Sequence, residues 1–544
     1  MEEVWSAWGR QEWDSARALA EELVAESPDD AHARATLGYV LDAFGEVDAA
    51  APHLAAAAGS DEVEALRLVA LVHGTRYSNL VFSDRSYDAP VELDAATAAY
   101  RRWAALEPAS AYPLQGLAWL RSSGGKPKEA VGLLTVAVAT DPLADEPHGD
   151  LWRYLNTEIS YDELASFYEG LALVAASDAA RGRCLQYQGQ LHRFQGDKHR
   201  ADAAAAETAT DRISRLTDAI SSYRRAQPLF DLATAADPAL SETSLQHEFA
   251  CRTGVVDASA DMGDSAATKK RLTETREALV EKTEVGSPVF VNTVDALSFA
   301  LFRLAGGEEA RFVDAEKYAA DMDEIRALWK WACSLVDDRA EWWNNLGFFA
   351  REAGEFEESY AAYERCIEFA PDSVRYVNDT GLIQLYHLKD DLPRAEELFR
   401  RAVEMGEEQY PAVKDDPALE WEMRSAWGDA MLNLGLVLTE FGRYDEAEAA
   451  LAKLDALDGG RADLAQAKTA LDLRRGDVDG LKQTVHDLLS AEAIDRDTRF
   501  LLVSIGRTLK DALEDAPDDE LAALLAEIER ALSNDRPPSD ESGR

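Results

Sequence analysis

Residues 340–373, Ala340 to Ser373, read AEWWNNLGFFAREAGEFEESYAAYERCIEFAPDS, an order that describes two helices joined by a tight turn. Trp343 and Leu346 lie three apart on one face of a first helix, and Gly347 beside them has no side chain, so a second helix can approach closely there. Gly354 stops the first helix. Phe356, Tyr360, Tyr363 and Ile367 then recur at i, i+4, i+7 and i+11, the stripe of a second helix with one buried face. Pro371 ends that helix because proline cannot continue the hydrogen-bond ladder.

The same order of residues recurs outward from this stretch. Downstream, Gly381, Ala395, Phe399 and Ala402 keep it with two residues added around Asp390-Asp391, and Leu434-Gly435, Gly442, Tyr444, Ala447 and Leu451 keep it without addition. Upstream, Leu37-Gly38-Tyr39, Gly45, Ala50 and Leu54 form one unit, with Asp29-Asp30 starting its first helix. Gly116, Trp119, Ala130, Leu134, Ala137 and Pro142 form another, widened by two residues around Ser122 to Gly125. Trp13, Ala16 and Pro28 fit the second half of a unit, so the chain is expected to start inside a repeat, after a lost segment or with a shortened cap. Residues 78–94, SNLVFSDRSYDAPVELD, read as an inserted loop. Between 143 and 338 the match fades while helical periodicity persists. There Ala226, Phe230, Ala233 and Pro238 keep second-helix spacing, with a first helix expected near Arg183 to Phe194, so residues 197–216 must lengthen helices rather than connect them tightly. A further pair is expected from Ser287 to about Val336.

The W-x2-L-G spacing of Trp343, Leu346 and Gly347, followed by Tyr363, Cys366 and Pro371, resembles the tetratricopeptide repeat. The resemblance implies an all-α, right-handed superhelical solenoid of helix-turn-helix repeats, working as a protein-binding adaptor with no catalytic, cofactor or metal site. The expected organisation is N-terminal repeats over 1–142, divergent helical repeats with long helices and insertions over 143–338, and C-terminal repeats over 339–490. Capping helices over 491–532 and a disordered tail over 533–544 follow.

The 544 residues carry 102 acids against 56 bases, a net charge of −46 that repels phosphate backbones and anionic lipid heads. Nucleic acid and membrane are not expected partners; a protein or peptide with basic residues is. No unbroken apolar run approaches the roughly 18 residues of a membrane span, and the N-terminal MEEVWSAWGRQEW has neither a cationic start nor an apolar core of the secretory kind. A cytoplasmic location is the expectation. Cys184, Cys251, Cys333 and Cys366 are widely spaced and sit in apolar helical patterns, which points to buried free thiols.

Chemical motifs are weak by comparison. Gly263 to Lys270 lacks the second glycine of a phosphate loop and any strand before it. His247 with Cys251, and His192 with His199, each supply two same-face ligands where zinc needs three or four. One constellation has functional content: Asn344, Asn345, Asn378 and Asn433 fall at equivalent places on the first helices of three successive repeats. Side-chain amides there can pair with both N–H and C=O of an extended peptide. Phe348, Arg351 and Leu382 are expected to share that groove, as are Glu341 and Thr439. A clamp for a terminal carboxylate is not expected, since the inner positions offer mostly acids and asparagine. Two other readings compete: a ligand pocket in 143–338, lined from 183–194 and 287–302, and a subunit of a self-assembling oligomer.

Overall fold

The computed structural model describes residues 1–83, 86–458, 461–489, 496–515 and 518–534. Among them are 26 α-helices and no strand; one isolated bridge joins Leu155 and Ile159. The chain forms two compact units, 1–283 and 284–544, so the division falls inside the divergent segment.

In the first unit the helices pair in order: α1 (Glu2–Gly9) with α2 (Trp13–Glu26), α3 (Ala31–Ala43) with α4 (Val47–Ala58), α5 (Val63–Val81) with α6 (Ala89–Leu106), and α7 (Tyr112–Ser123) with α8 (Pro127–Thr140). Asp30 caps α3 by accepting from the Ala33 amide at 2.7 Å. The inserted loop expected over 78–94 is mostly helix. Residues 78–81 continue α5, and Pro90, acceptable in a first turn, opens α6 after a 3-10 turn at Ser86–Asp88. His73 on α5 meets Glu92 on α6 at 2.5 Å, tying the two extensions together.

Beyond α9 (Asp145–Trp152) and α10 (Tyr161–Val174), the helices lengthen. α11 (Asp178–Ala204) and α12 (Ala209–Ala236) run antiparallel over 27 and 28 residues. Their seam is a glycine series. A Cβ on Gly182, Gly189 or Gly196 would stand within 3 Å of Asp237, Phe230 and Tyr223 respectively, so each step of seven along α11 is answered by a step of seven back along α12. Two glycine contacts have been added around the single one of an ordinary repeat. α13 (Ser241–Asp261) and α14 (Ser265–Lys282) complete the unit, and buried Glu248 accepts from Arg252 at 2.7 Å and Lys282 at 2.8 Å.

The second unit begins with α15 (Pro288–Leu304), capped by Ser287, and α16 (Ala315–Leu335). Residues 288–312 are long and apolar enough to cross a membrane by length and composition, with mean hydropathy 1.4, and half of that window is buried inside the fold. Trp329 donates to Ser298 at 2.9 Å, and its ring meets Trp342 of α17 (Ala340–Ala353) with centroids 6.0 Å apart. Trp342 thus joins neighbouring helix pairs, while Trp343 packs within its own repeat, near Tyr363 and Cys366.

α17 turns at Gly354, whose φ of 85° only glycine adopts freely, into α18 (Phe356–Phe369). There follow α19 (Val374–Ile383), α20 (Leu392–Val413), α21 (Pro417–Glu440), α22 (Tyr444–Asp458), α23 (Ala462–Arg475), α24 (Val478–Leu489), α25 (Arg496–Asp515) and α26 (Asp519–Asn534). The disordered tail expected over 533–544 lies outside the described residues from 535 on. The close-packing glycine recurs: a Cβ on Gly347 would stand 2.9 Å from the Tyr363 ring, on Gly381 2.8 Å from Phe399, on Gly435 2.6 Å from Leu451, and, in the first unit, on Gly38 2.7 Å from Leu54. Gly116 departs from the series and receives the Tyr100 ring of the preceding helix.

Gly347→Leu drives a side chain into Tyr363 and is expected to destabilise by about 1–3 kcal/mol, seen as a lower Tm by circular dichroism. Gly132→Ala, at an exposed site on α8 where the new Cβ meets nothing within 4 Å, is expected to leave Tm unchanged or higher.

Candidate functional site

The first helices of three repeats, α17, α19 and α21, together with Asp463 of α23, wall a solvent-open cleft of about 580 Å³. α19 packs on α21 and α21 on α23. All seven groove residues expected from the sequence line this cleft: Asn344, Asn345, Phe348, Arg351, Asn378, Leu382 and Asn433. Two further expectations do not hold. Thr439 faces a separate cavity of about 300 Å³, its hydroxyl donating to the Gly435 carbonyl at 2.8 Å, and Glu341 is exposed away from the cleft lining.

The four asparagines divide by role. Asn378 and Asn433 are only 2% and 4% exposed, and they are one another's partners: Asn433 Nδ2 donates to Asn378 Oδ1 at 3.0 Å. The chain extends both ways, with Tyr386 Oη donating to Asn433 Oδ1 at 3.1 Å and Asn378 Nδ2 donating to Asp379 Oδ1 at 3.2 Å. These two amides are therefore the floor of the cleft, since a buried amide must find a partner and the neighbouring repeat offers one. Asn344 and Asn345 are half-buried and make no side-chain hydrogen bond among the described residues, so their amides face the cleft unengaged.

Tyr386 reaches the cleft from a π turn, Gln384–Leu388, that ends at Lys389 with φ 58°. This turn takes up one of the two residues that the sequence showed in excess between Gly381 and Phe399. The other lies at Asp390-Asp391, two residues between Lys389 and α20 where Gly354 is followed by one before α18.

The charged lining is mixed. Arg351 donates through Nε and Nη2 to Glu352 Oε1 at 3.1 and 2.9 Å and lies over the Phe348 ring, 5.0 Å from its centroid. Arg375 makes no hydrogen bond or ion pair among the described residues. Asp429 and Asp463 both accept from Arg461 Nη2, each at 2.6 Å. Burial pushes the Asp379 carboxyl up to about 6; Arg375, the bond from Asn378 and Arg351 pull against the rise, and Asp429 adds to it. Arg375, Tyr386, Asp429 and Asp463 were not singled out in the sequence, and only the two-residue surplus pointed toward any of them.

Other ionisable groups are engaged elsewhere. Burial and then Arg193, 3.0 Å from its Nδ1, push His247 down to about 4, leaving it a neutral acceptor. The four cysteines are buried and unpaired. Among the described residues no three His, Cys, Asp or Glu side chains form a group that could hold a metal ion.

A family model described as tetratricopeptide repeat matches residues 340–373 and 428–460. Those two stretches match the tetratricopeptide repeat, and α17 and part of α21, two of the helices that wall the cleft, fall within them. No curated protein matches. Among solved structures the chain is similar to the Cut9–Hcn1 hetero-tetramer of the APC/C, at 13% identity over 92% of this chain and 95% of that one, with a TM-score of 0.27. It is also similar to a tetratricopeptide repeat protein from Parabacteroides merdae (14% identity, 52% and 98% covered, TM-score 0.33). Yeast Tom70 is a third (13% identity, 92% and 99% covered, TM-score 0.28).

Asn433→Ala leaves Asn378 Oδ1 without its donor and is expected to lower stability by about 1–3 kcal/mol, whereas Asn345→Ala stays within about 0.5 kcal/mol of wild type; denaturant titration separates the two. Asp379 sets a pH signature. Its folded pKa of about 6 lies above its ordinary 3.8, so the folded chain retains a proton that the unfolded chain has released. That contribution is complete below about pH 4 and lost as pH rises through about 6, leaving the ionised carboxylate costing about 1–3 kcal/mol at pH 7. Asp379→Asn, whose amide oxygen still accepts from Asn378, is expected to melt higher than wild type at pH 7, with the gap closing toward pH 4.

Proposed function

We propose that this chain is a non-catalytic protein-interaction scaffold that holds an extended segment of a protein partner in the cleft of its second unit. The observation that carries the reading is the convergence of Asn344, Asn345, Phe348, Arg351, Asn378, Leu382 and Asn433 on one open cleft, with two of the amides free to meet a backbone. A paired N–H and C=O on an extended strand are the complement of a side-chain amide. Apolar Phe348 and Leu382 beside those amides supply area that excludes water around the bonds. The net charge of −46 draws cationic segments from a distance, which favours a partner with basic residues. Four unpaired thiols favour a reducing, cytoplasmic setting.

A ligand pocket in the divergent stretch has less support. Two clefts there, among the described residues, lie at helix-end turns over 172–181 and 202–215 and take in none of residues 183–194.

Phe348 replaced by a photoreactive phenylalanine analogue and irradiated in native lysate is expected to crosslink a partner segment, which mass spectrometry then maps. Binding of that segment to Asn344→Ala/Asn345→Ala should weaken by about 0.5–1.5 kcal/mol per lost hydrogen bond at every salt concentration, because bonds in a partly dry cleft are little screened. Unchanged affinity across a salt series would remove the amides from the binding site.

A further inference from the structure

We propose that the cleft selects segments in which an acidic and a basic side chain are separated along an extended backbone, the acid seated at Arg375 and Arg351 and the base on the Asp429 and Asp463 side. This rests on the preceding reading and specifies its partner. The charges are sorted by helix. α17 contributes Arg351 to the cleft, α19 contributes Arg375 and Asp379, and α21 and α23 contribute Asp429 and Asp463. Since α19, α21 and α23 pack in that order, both arginines stand on the α17 and α19 side of the cleft, beside Asp379, and only carboxylates line the α21 and α23 side.

Neither end is fully paired from within, although Glu352 and the ionised Asp379 equal the two arginines in number. Arg375 has no ion pair, and Arg351 gives only Nε and Nη2 to Glu352, so Nη1 remains. At the far end Asp429 and Asp463 share the single cation of Arg461, leaving one net negative charge. Between them the floor is the neutral Asn378–Asn433 pair, which carries no charge that would blur the separation. Asp379 shares α19 with Arg375; Arg375 and Arg351 favour its charged form and Asp429 opposes it.

Such a cleft discriminates by repulsion as well as attraction. A wholly basic segment is drawn in by the overall charge but sets a cation against unpaired Arg375, and a wholly acidic one meets Asp429 and Asp463. Only a segment carrying both signs in order satisfies both ends. The amides of Asn344 and Asn345 bond a backbone whichever side chains it bears, so the charges confer the selectivity.

A library of short random linear peptides is selected on the full chain, with crosslinking from position 348 reporting which peptides occupy the cleft. Enriched peptides are expected to share one acid and one base at fixed spacing. Changing the peptide's acid to its amide, or Arg375→Gln in the protein, should each weaken binding about tenfold, with no further loss when combined. Selection on Arg375→Glu, checked for an unchanged melt, should replace the acid by a base and leave the other position basic. Cleft-bound peptides with bases alone, or an acid retained on Arg375→Glu, overturn the inference while leaving the scaffold reading intact. A selection that yields no cleft-bound peptide overturns both.

Discussion

The contact on which the repeats that form the cleft depend is the one between a glycine of the first helix and a large side chain of the second, as at Gly347, Gly381 and Gly435. At Gly347 the missing Cβ lets the Tyr363 ring lie against the helix backbone, and the buried Ser359 hydroxyl donates to the Gly347 carbonyl at 2.7 Å at the same place. Cys366 closes the other end of the pair by donating its Sγ hydrogen to the Ala340 carbonyl at 3.3 Å. With separation and register fixed in this way, the inner face of each first helix is presented at a set angle, and the cleft is assembled from those faces. The long α11–α12 pair uses the same contact three times at heptad spacing, so doubling the helices did not require a different way of packing them.

Charge works at two scales. Most of the 102 acids are solvent-facing, and many are paired locally, as Arg443 is with Glu396 and Glu446. Exposed pairs of this kind contribute little individually. Inside the cleft fewer charges matter more, because water is partly excluded and Arg375 and Asp379 face each other's fields without forming a pair.

The legible part of this fold was whatever depends on residue type at fixed spacing. Glycines, aromatics and closing prolines gave the helix pairs around 340–373 and 428–460, and the Phe230 series even located the seam of α12. The same spacing brought seven of the nine expected groove residues to one cleft, leaving Glu341 and Thr439 outside it. What spacing could not show was how neighbouring repeats meet. That Asn378 and Asn433, 55 residues apart, bond each other rather than a guest depends on the distance between α19 and α21, which no single repeat encodes. Tyr386 was hidden for a related reason, since a two-residue surplus does not reveal whether it makes a loop or a π turn. The loop expected over 78–94 is mostly helix because Pro90 suits a first helical turn and His73 meets Glu92 across α5 and α6, neither of which repeat spacing encodes.

The Asn378–Asn433 bridge has one more consequence. Because the cleft floor is bonded across repeats before any guest arrives, its side chains have already given up their rotational freedom, and little conformational entropy remains to be lost on that side when a complex forms. On the protein side the cost is then confined to unengaged side chains such as Asn344, Asn345 and Arg375, and the rest falls on the guest. Segments that are stiff and extended beforehand, such as those with proline on either side of the contact residues, start nearer the bound shape than flexible ones. Affinity in this cleft should thus track the guest's own rigidity as closely as its sequence.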